Sequence, residues 1–199
     1  MIKPFIFGAC DQRYYDLYAT AFLNSARAQG HSVDVACDAG RSRTASDKAR
    51  YHVWRFQLMP LMLRERPAVL AVDVDSIIRK PIEIEPEYDL GIFLRPHQTE
   101  AENKRTLAGV FYCTSRAMDF AQALADAVSA PSDAYSADQV ALWRTYEALG
   151  HKYRVKIFDR ATMDWEPDTE PCIYTAKGAL RRGSASFLSE VAKWSQKAA

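Results

Sequence analysis

The sequence predicts an α/β fold, a three-layer sandwich in which helices cover both faces of a mostly parallel sheet. Strand-like and helix-like segments alternate from the start in the order β-α-β-α-β, which is typical of parallel strands joined by right-handed crossover helices. Residues 69–72 are apolar throughout, as in a strand buried on both faces. Asp73 and Asp75 follow that strand directly, where ligands bind in open α/β sheets.

The first half of the chain predicts its elements from local patterns. Residues 4–9 and 32–36 are strand-like, and the helical pattern between them ends at Gly30, a residue typical of the position just past a helix. A second helix begins near Asp47, and Pro60 is expected to bend or divide it.

The second half predicts further strands and helices and one long connection. The polar stretch 95–105 is long for a connection and is interpreted as a mobile loop at the active site. The remaining elements are strands at 89–93, 108–113, 155–158 and 172–175, and helices at 117–128, 140–147 and 187–194.

Length and composition restrict the class of protein. The 199 residues suit one domain, and 48% hydrophobic with 26% charged residues is ordinary for a soluble protein. The net charge of +1 gives no overall field that would attract nucleic acid. No apolar run approaches a transmembrane segment, and the N-terminus leads into a strand rather than a signal peptide. The four cysteines lack Cys-x-x-Cys spacing, which indicates reduced, mostly buried thiols in a cytoplasmic protein.

The two aspartates at the end of the apolar strand predict a cation site. Carboxylate oxygens are the ligands that Mg²⁺ and Mn²⁺ prefer, and a cation held by Asp73 and Asp75 would lie beside a diphosphate. The alternative is structural, because an Asp-x-Asp sequence after a strand also forms a simple turn.

A series of short segments in a fixed order gives the chain a recognisable pattern. They are 8–11, 50–55, 73–75, 108–111, 136–139 and 174–178. In these segments the chain resembles compact nucleotide-sugar-dependent glycosyltransferases of the GT-A fold, closest to the glycogenin and lipopolysaccharide galactosyltransferase families. The resemblance implies a Rossmann-like α/β/α sandwich forming one domain over 1–199. Residues 1–80 would be the nucleotide-binding half, and 81–199 the half for donor sugar and acceptor.

The resemblance also implies roles for the residues at the ends of the first and third strands. Ala9, Cys10 and Asp11 would hold the uracil and ribose of a UDP-sugar. Asp73 would contact the ribose and the cation, and Asp75 would coordinate the cation, Mn²⁺ or Mg²⁺. For Asp11 the alternative interpretation is a helix cap.

Basic residues are implied to approach the diphosphate of the donor. Lys48 and Arg55 on the second helix are candidates, with surface positions as the alternative. Related enzymes often supply a metal-binding histidine near the C-terminus, but this chain has none there. Thr175 is the candidate third metal ligand, and Lys177 with Gly178 would bind the phosphates; Arg181 and Arg182 extend this basic segment. The alternative for the segment is a solvated basic loop.

Asp138 and Gln139 are the candidate catalytic residues beside the donor sugar. The resemblance implies that Asp138 accepts hydrogen bonds from sugar hydroxyls or stabilises positive charge at the anomeric carbon. A structural account also exists, because Ser136 and Gln139 match a capping box at a helix start. If the reaction inverts the anomeric configuration, Asp138 or Asp164 would be the base; retention or inversion stays open.

The resemblance thus implies a metal-dependent hexosyltransferase that moves a sugar from a UDP-sugar to a hydroxyl acceptor, which is a glycan, a lipid-linked glycan or a protein. One alternative is a non-catalytic module that binds a nucleotide or glycan. Another is a sugar-1-phosphate nucleotidyltransferase, which is disfavoured because residues 8–13 contain one glycine and an acid instead of a glycine-rich loop.

Overall fold

The computed structural model describes residues 1–39, 45–95, 98, 101–129, 136–176 and 178–196, with the backbone only at 45–50 and 179. The described strands are β1 (Phe5–Asp11), β2 (Val33–Asp38), β3 (Ala68–Val72), β4 (Ser76–Ile78), β5 (Leu90–Leu94), β6 (Thr106–Thr114), β7 (Val155–Phe158), β8 (Met163–Asp164) and β9 (Ile173–Thr175). The helices are α1 (Gln12–Tyr14), α2 (Thr20–Ala28), α3 (Ala45–Glu65), α4 (Glu102–Arg105), α5 (Met118–Ser129), α6 (Ala137–Leu149), α7 (Ala179–Arg182) and α8 (Ala185–Gln196). A π-helical turn, Tyr15–Ala19, joins α1 to α2.

The main sheet has six strands in the order β2-β1-β3-β6-β5-β7. β1 pairs in parallel with β2 and β3, and β5 pairs in parallel with β7. β6 runs antiparallel to both of its neighbours, β3 and β5. The predicted mostly parallel sheet is therefore confirmed.

Apolar cores lie on both faces of this sheet, as the side chains of β3 demonstrate. Leu70 and Val72 belong to a core with Phe22 of α2, whereas Val69 and Ala71 belong to a core that contains residues of α3 and α5. All five residues of β3 are buried. Burying each large apolar side chain contributes about 1.5–3 kcal/mol, so a strand of this composition is stable only between two layers. The three-layer prediction is confirmed.

A second, three-stranded sheet has the order β4-β9-β8. β9 matches a predicted strand, whereas β4 and β8 were not predicted. β9 pairs with β4 directly after the two aspartates, so the C-terminal part of the chain lies beside the end of β3. The core under this sheet contains Phe187 and Trp194 of α8.

Pro60 was expected to bend or divide the second helix, and the structure shows that it does not divide it. α3 continues through Pro60 without an end. Met59 and Leu63, on either side of the proline, are buried against the core shared with α5. Because most helix stability in proteins comes from packing of the apolar face, this burial compensates for the hydrogen bond that proline lacks.

The structure agrees with two further predictions, which concern the end of α2 and the cysteines. Gly30 has a φ of 76°, the left-handed conformation expected just past the end of α2. The four cysteines are free thiols, of which Cys10 and Cys113 are buried. Across the described segments, no helix combines the length and the apolar character needed to cross a membrane.

Candidate functional site

A pocket of about 740 Å³ opens at the carboxyl ends of β1 and β3. It is lined by almost all of the predicted site residues: Ala9, Cys10, Asp11, Arg55, Asp73, Asp75, Asp138, Gln139, Thr175 and Gly178. The side chain of Lys48 and the whole of Lys177 lie outside the described residues. Residues that are up to 169 positions apart in the chain thus meet in one cavity.

Arg55 connects Asp73, which follows β3, with Asp138 at the start of α6. Its Nη1 lies 2.9 Å from Asp73 Oδ1, and its Nη2 donates to Asp138 Oδ2 at 3.2 Å and to the carbonyl of Ala108 at 2.8 Å. The Arg55 side chain is only 3% exposed. Charge-assisted hydrogen bonds of this kind fix the orientation of both carboxylates. Their negative charges offset part of the desolvation cost of burying the guanidinium. The predicted contact between Arg55 and the donor phosphates stays a prediction.

Asp138 is buried in the first turn of α6, where its Oδ1 accepts a hydrogen bond from the backbone N–H of Gln139 at 2.9 Å. Burial raises the pKa of Asp138, the neighbouring Asp73 adds to the rise, and Arg55 and His52 oppose it. The carboxylate therefore has a fixed orientation at the pocket wall, and this position is compatible with the predicted contact to a donor sugar.

The predicted capping box between Ser136 and Gln139 is wrong. Ser136 has a φ of 78°, and its side chain makes no capping hydrogen bond. The side-chain oxygen of Gln139 instead accepts a hydrogen bond from Arg95 Nη2 at 2.9 Å. The left-handed backbone of Ser136 departs from the extended conformation of an ordinary cap, and a charged guanidinium is a stronger donor than a backbone amide.

Asp75 forms an ion pair with Arg182, whose Nη1 lies 3.0 Å from Asp75 Oδ2. Burial raises the pKa of Asp75 to about 6, the charge of Asp73 adds to the rise, and Arg182 lowers it. Arg182 also lies over the ring of Tyr14, 5.6 Å from its centroid. The second aspartate of the pair thus already has a cationic partner in the protein.

Gly8 determines how the Asp-x-Asp loop packs on β1. A Cβ added at Gly8 would lie 2.5 Å from Cγ2 of Val74, the residue between the two aspartates. Because real Cβ atoms do not approach other atoms this closely, only glycine allows the loop to lie against the strand. The first and third strands therefore position the aspartates together.

Asp11 caps α1, since its Oδ1 accepts a hydrogen bond from the backbone N–H of Tyr14 at 2.8 Å. The helix-cap interpretation is confirmed, and the contact of Asp11 with a ribose stays a prediction. Burial, followed by the effect of Cys37, raises the pKa of Cys10 to about 12. Cys10 is therefore a neutral thiol near pH 7.

Asp164, the other candidate base, has both carboxylate oxygens engaged. Arg160 donates to them at 2.8 and 3.1 Å, and the backbone N–H of Trp165 donates at 2.7 Å. Burial of Asp164 favours a higher pKa, but these hydrogen bonds outweigh it and hold the pKa below its usual value. Met163 and Trp165 line the pocket and Asp164 does not, so Asp138 is the better-placed carboxylate.

His52 is a pocket residue to which no role was assigned from the sequence. It lies on α3 three positions before Arg55 and lines the same pocket. Positions three apart share one face of a helix, so this spacing was the available signal. Tyr14 and Tyr18 also line the pocket without having been assigned to it.

The oxygen atoms available in this pocket fit a hard divalent cation that also takes part of its coordination shell from a bound substrate. Asp73 and Asp75 supply two carboxylates, and the hydroxyl of Thr175 donates to the carbonyl of Asp75 at 3.3 Å. Within the part of the chain that the structure describes, no three acidic, histidine or cysteine side chains form a metal-binding group. Mg²⁺ commonly binds through one or two carboxylates together with substrate phosphates and water, which is the set available here.

Comparisons with solved structures identify proteins of similar fold. A glycosyltransferase involved in the glycosylation of the major capsid of PBCV-1 is 14% identical with a TM-score of 0.64, covering 96% of this chain and 100% of that one. The glycosyltransferase GlyE of Streptococcus pneumoniae TIGR4 is 12% identical with a TM-score of 0.66, covering 98% of this chain and 62% of that one. The bifunctional glycosyltransferase WbbM is 9% identical with a TM-score of 0.65, covering 97% of this chain and 49% of that one.

These likenesses show that the chain has a glycosyltransferase fold, as the sequence resemblance implied. The chain spans about three fifths of the GlyE structure and about half of the WbbM structure. No model of a protein family matches the sequence, and no curated protein matches it.

Proposed function

We propose that this protein transfers a sugar from a nucleoside diphosphate sugar, a UDP-sugar, to a hydroxyl acceptor. The observation that carries the proposal is the convergence of Asp73, Asp75 and Asp138 with Arg55 and Arg182 in one pocket at the carboxyl ends of the strands. A pocket of about 740 Å³ is within the size range of sites for ligands as large as a nucleotide sugar. Since one fold supports many activities, the proposal depends on this set of side chains and not on the fold alone.

The end of β1 and the Asp-x-Asp loop would bind the nucleotide. Ala9, Cys10 and Asp11 line the pocket beside the two aspartates, as expected for a surface that contacts base and ribose. A divalent cation, Mn²⁺ or Mg²⁺, held by Asp73 and Asp75 would neutralise the charge that develops on the departing diphosphate. The buried carboxylate of Asp75 makes this electrostatic effect stronger than it would be in water.

Asp138 would act on the transferred sugar. Arg55 and the N–H of Gln139 each occupy one acceptor position of its carboxylate. A carboxylate has about four such positions, so others remain for sugar hydroxyls or for the positive charge at the anomeric carbon. Because Arg55 also holds Asp73, the groups that face the sugar and the diphosphate keep a constant spacing, which is electrostatic preorganisation.

The test is release of UDP from a panel of UDP-sugars, with Mn²⁺ present and with water, glycans and lipid-linked glycans as acceptors. We expect turnover of one or a few donors by the wild-type protein and its loss in Asp138→Asn. Binding of UDP-sugars without turnover of any of them would contradict the proposal and would favour a nucleotide-binding or glycan-binding module.

A further inference from the structure

Arg182 occupies the position on Asp75 where a cation would bind. Its guanidinium lies 3.0 Å from Asp75 Oδ2, and the Asp75 side chain is only 10% exposed. A divalent cation that bound the same buried carboxylate would be adjacent to the positive charge of Arg182, and the two would repel each other. Asp73 has the same kind of partner in Arg55, so neither aspartate is without a guanidinium.

The two arginines differ in how firmly they are held. Arg55 is 3% exposed and binds two carboxylates and a carbonyl, whereas the side chain of Arg182 is 28% exposed and has Asp75 as its ion-pair partner. Arg182 ends a four-residue helix that follows Gly178, and a Cβ at Gly178 would meet nothing within 4 Å. The exposure of Leu180 on the same helix is 93%, so this segment has little burial to hold it in place.

We propose that Arg182 and the divalent cation compete for Asp75, and that Arg182 transfers to the diphosphate of the donor when the cation takes its place. This inference rests on the proposed function, since it needs a diphosphate in the pocket. Guanidinium binds phosphate oxygens as readily as carboxylate oxygens, so the donor offers Arg182 a new partner at the moment when it loses Asp75.

The exchange has a thermodynamic consequence. In the free protein Arg182 weakens the binding of the cation alone, and the diphosphate removes that competitor. Cation and nucleotide then bind cooperatively, and by linkage each increases the affinity for the other by the same factor. The protein would bind little free cation before the donor is present.

The experiment measures the affinity of metal-stripped protein for Mn²⁺ alone, from the electron paramagnetic resonance signal of free Mn²⁺, and then repeats it with saturating UDP. We expect Arg182→Gln to bind Mn²⁺ alone about tenfold more tightly than the wild type, which is the usual size of such a coupling. We also expect UDP to increase Mn²⁺ affinity less in Arg182→Gln than in the wild type. Arg182→Lys retains a positive charge and should bind Mn²⁺ alone more weakly than Arg182→Gln does.

Arg181→Gln is the matched control, because Arg181 lies next to Arg182 and pairs with Glu166 instead, at 2.9 Å. It removes the same charge and should leave Mn²⁺ affinity unchanged. Equal Mn²⁺ affinity in Arg182→Gln and the wild type would overturn the inference, as would an equal gain in Arg181→Gln. Absence of UDP binding to every protein would instead contradict the proposed function, while the comparison with Mn²⁺ alone would still report on the contact between Arg182 and Asp75.

Discussion

Gly109 leaves the space that the carboxylate of Asp73 fills: a Cβ at residue 109 would lie 2.8 Å from Asp73 Oδ2. The backbone N–H of Asp73 also donates to the carbonyl of Gly109 at 3.0 Å. With Arg55 on Asp73 Oδ1, the carboxylate is held between β6 and α3. A side chain at 109 would therefore displace the first aspartate of the pair.

Gly109→Ala should lower the affinity for UDP in the presence of Mn²⁺ by about tenfold, because the displaced Asp73 loses its alignment with Arg55. Calorimetric titration measures this affinity. Gly91→Ala is the control: its Cβ would meet the ring of Phe158 at 2.3 Å, and Gly91 does not line the pocket. Overpacking of this kind costs about 1–3 kcal/mol of stability and should leave UDP affinity unchanged. Wild-type UDP affinity in Gly109→Ala would contradict the assignment of Asp73.

Asp138→Asn should reduce turnover by about 100-fold or more while UDP still binds, because the amide lacks the charge that faces the sugar. Asp164→Asn is the matched substitution of a buried aspartate whose partners are Arg160 and backbone amides. It should lower the melting temperature and leave turnover near that of the wild type. The reverse pattern, with turnover lost only in Asp164→Asn, would assign catalysis to Asp164.

Arg55→Lys should lower turnover and stability together, since an ammonium group cannot reproduce the planar contacts to Asp73, Asp138 and a carbonyl. Removing one partner of a buried ion pair costs about 3–5 kcal/mol, and the substitution should approach the lower end of that range. In a double-mutant cycle with Asp138→Asn, the two effects on denaturant stability should be less than additive. Strict additivity would mean that the two residues do not interact in solution.

His31 should make the stability depend on pH. Its Nε2 accepts the backbone N–H of Ile82 at 3.0 Å, so its Nδ1 carries the proton and faces the carbonyl of Pro4 at 3.4 Å. Burial lowers the pKa of His31 below 6.5; Lys3 lowers it further, and the Pro4 carbonyl and Glu83 oppose this. The fold therefore prefers the neutral ring, and this contribution is complete above pH 6.5 and is lost as the pH falls through the lowered pKa.

The measurement is the denaturant stability of wild type and His31→Gln at pH 7.5 and 5.5. We expect the wild type to lose more stability than the variant over this interval, by at most about 1.4 kcal/mol per pH unit for one proton. Glutamine does not titrate, so the difference between the two proteins isolates His31 from the other histidines. An identical pH dependence in both would show that His31 does not titrate differently on folding.

The sequence was sufficient for the central elements of the fold. The apolar run of β3 and the helical spacing on α3 are local patterns, and both elements formed where they were predicted. β4 and β8 contain three and two residues, too few to show a period, so the second sheet was not predicted. That the chain forms a single domain stays a prediction.

In the site, as in the fold, local sequence patterns identified residues but did not predict the contacts between residues far apart in the chain. Asp73 and Asp75 were predicted from the strand that precedes them. The contact of Arg55 with Asp138 spans 83 positions and that of Asp75 with Arg182 spans 107, and no spacing rule reports such distances. The capping-box alternative paired Gln139 with Ser136 at its own helix end, but Arg95, 44 positions away, is its side-chain partner. Local patterns therefore identified the residues, and only the folded chain determined their partners.

Metal-dependent binding of UDP at Asp73 and Asp75 is tested most directly by calorimetric titration of UDP into the metal-stripped protein, with and without Mn²⁺, repeated on Asp75→Asn. We expect micromolar binding by the wild type that requires Mn²⁺ and is lost in the variant. No binding of UDP under either condition would contradict the proposed donor site, because Asp73 and Asp75 would then form only a turn at the end of β3.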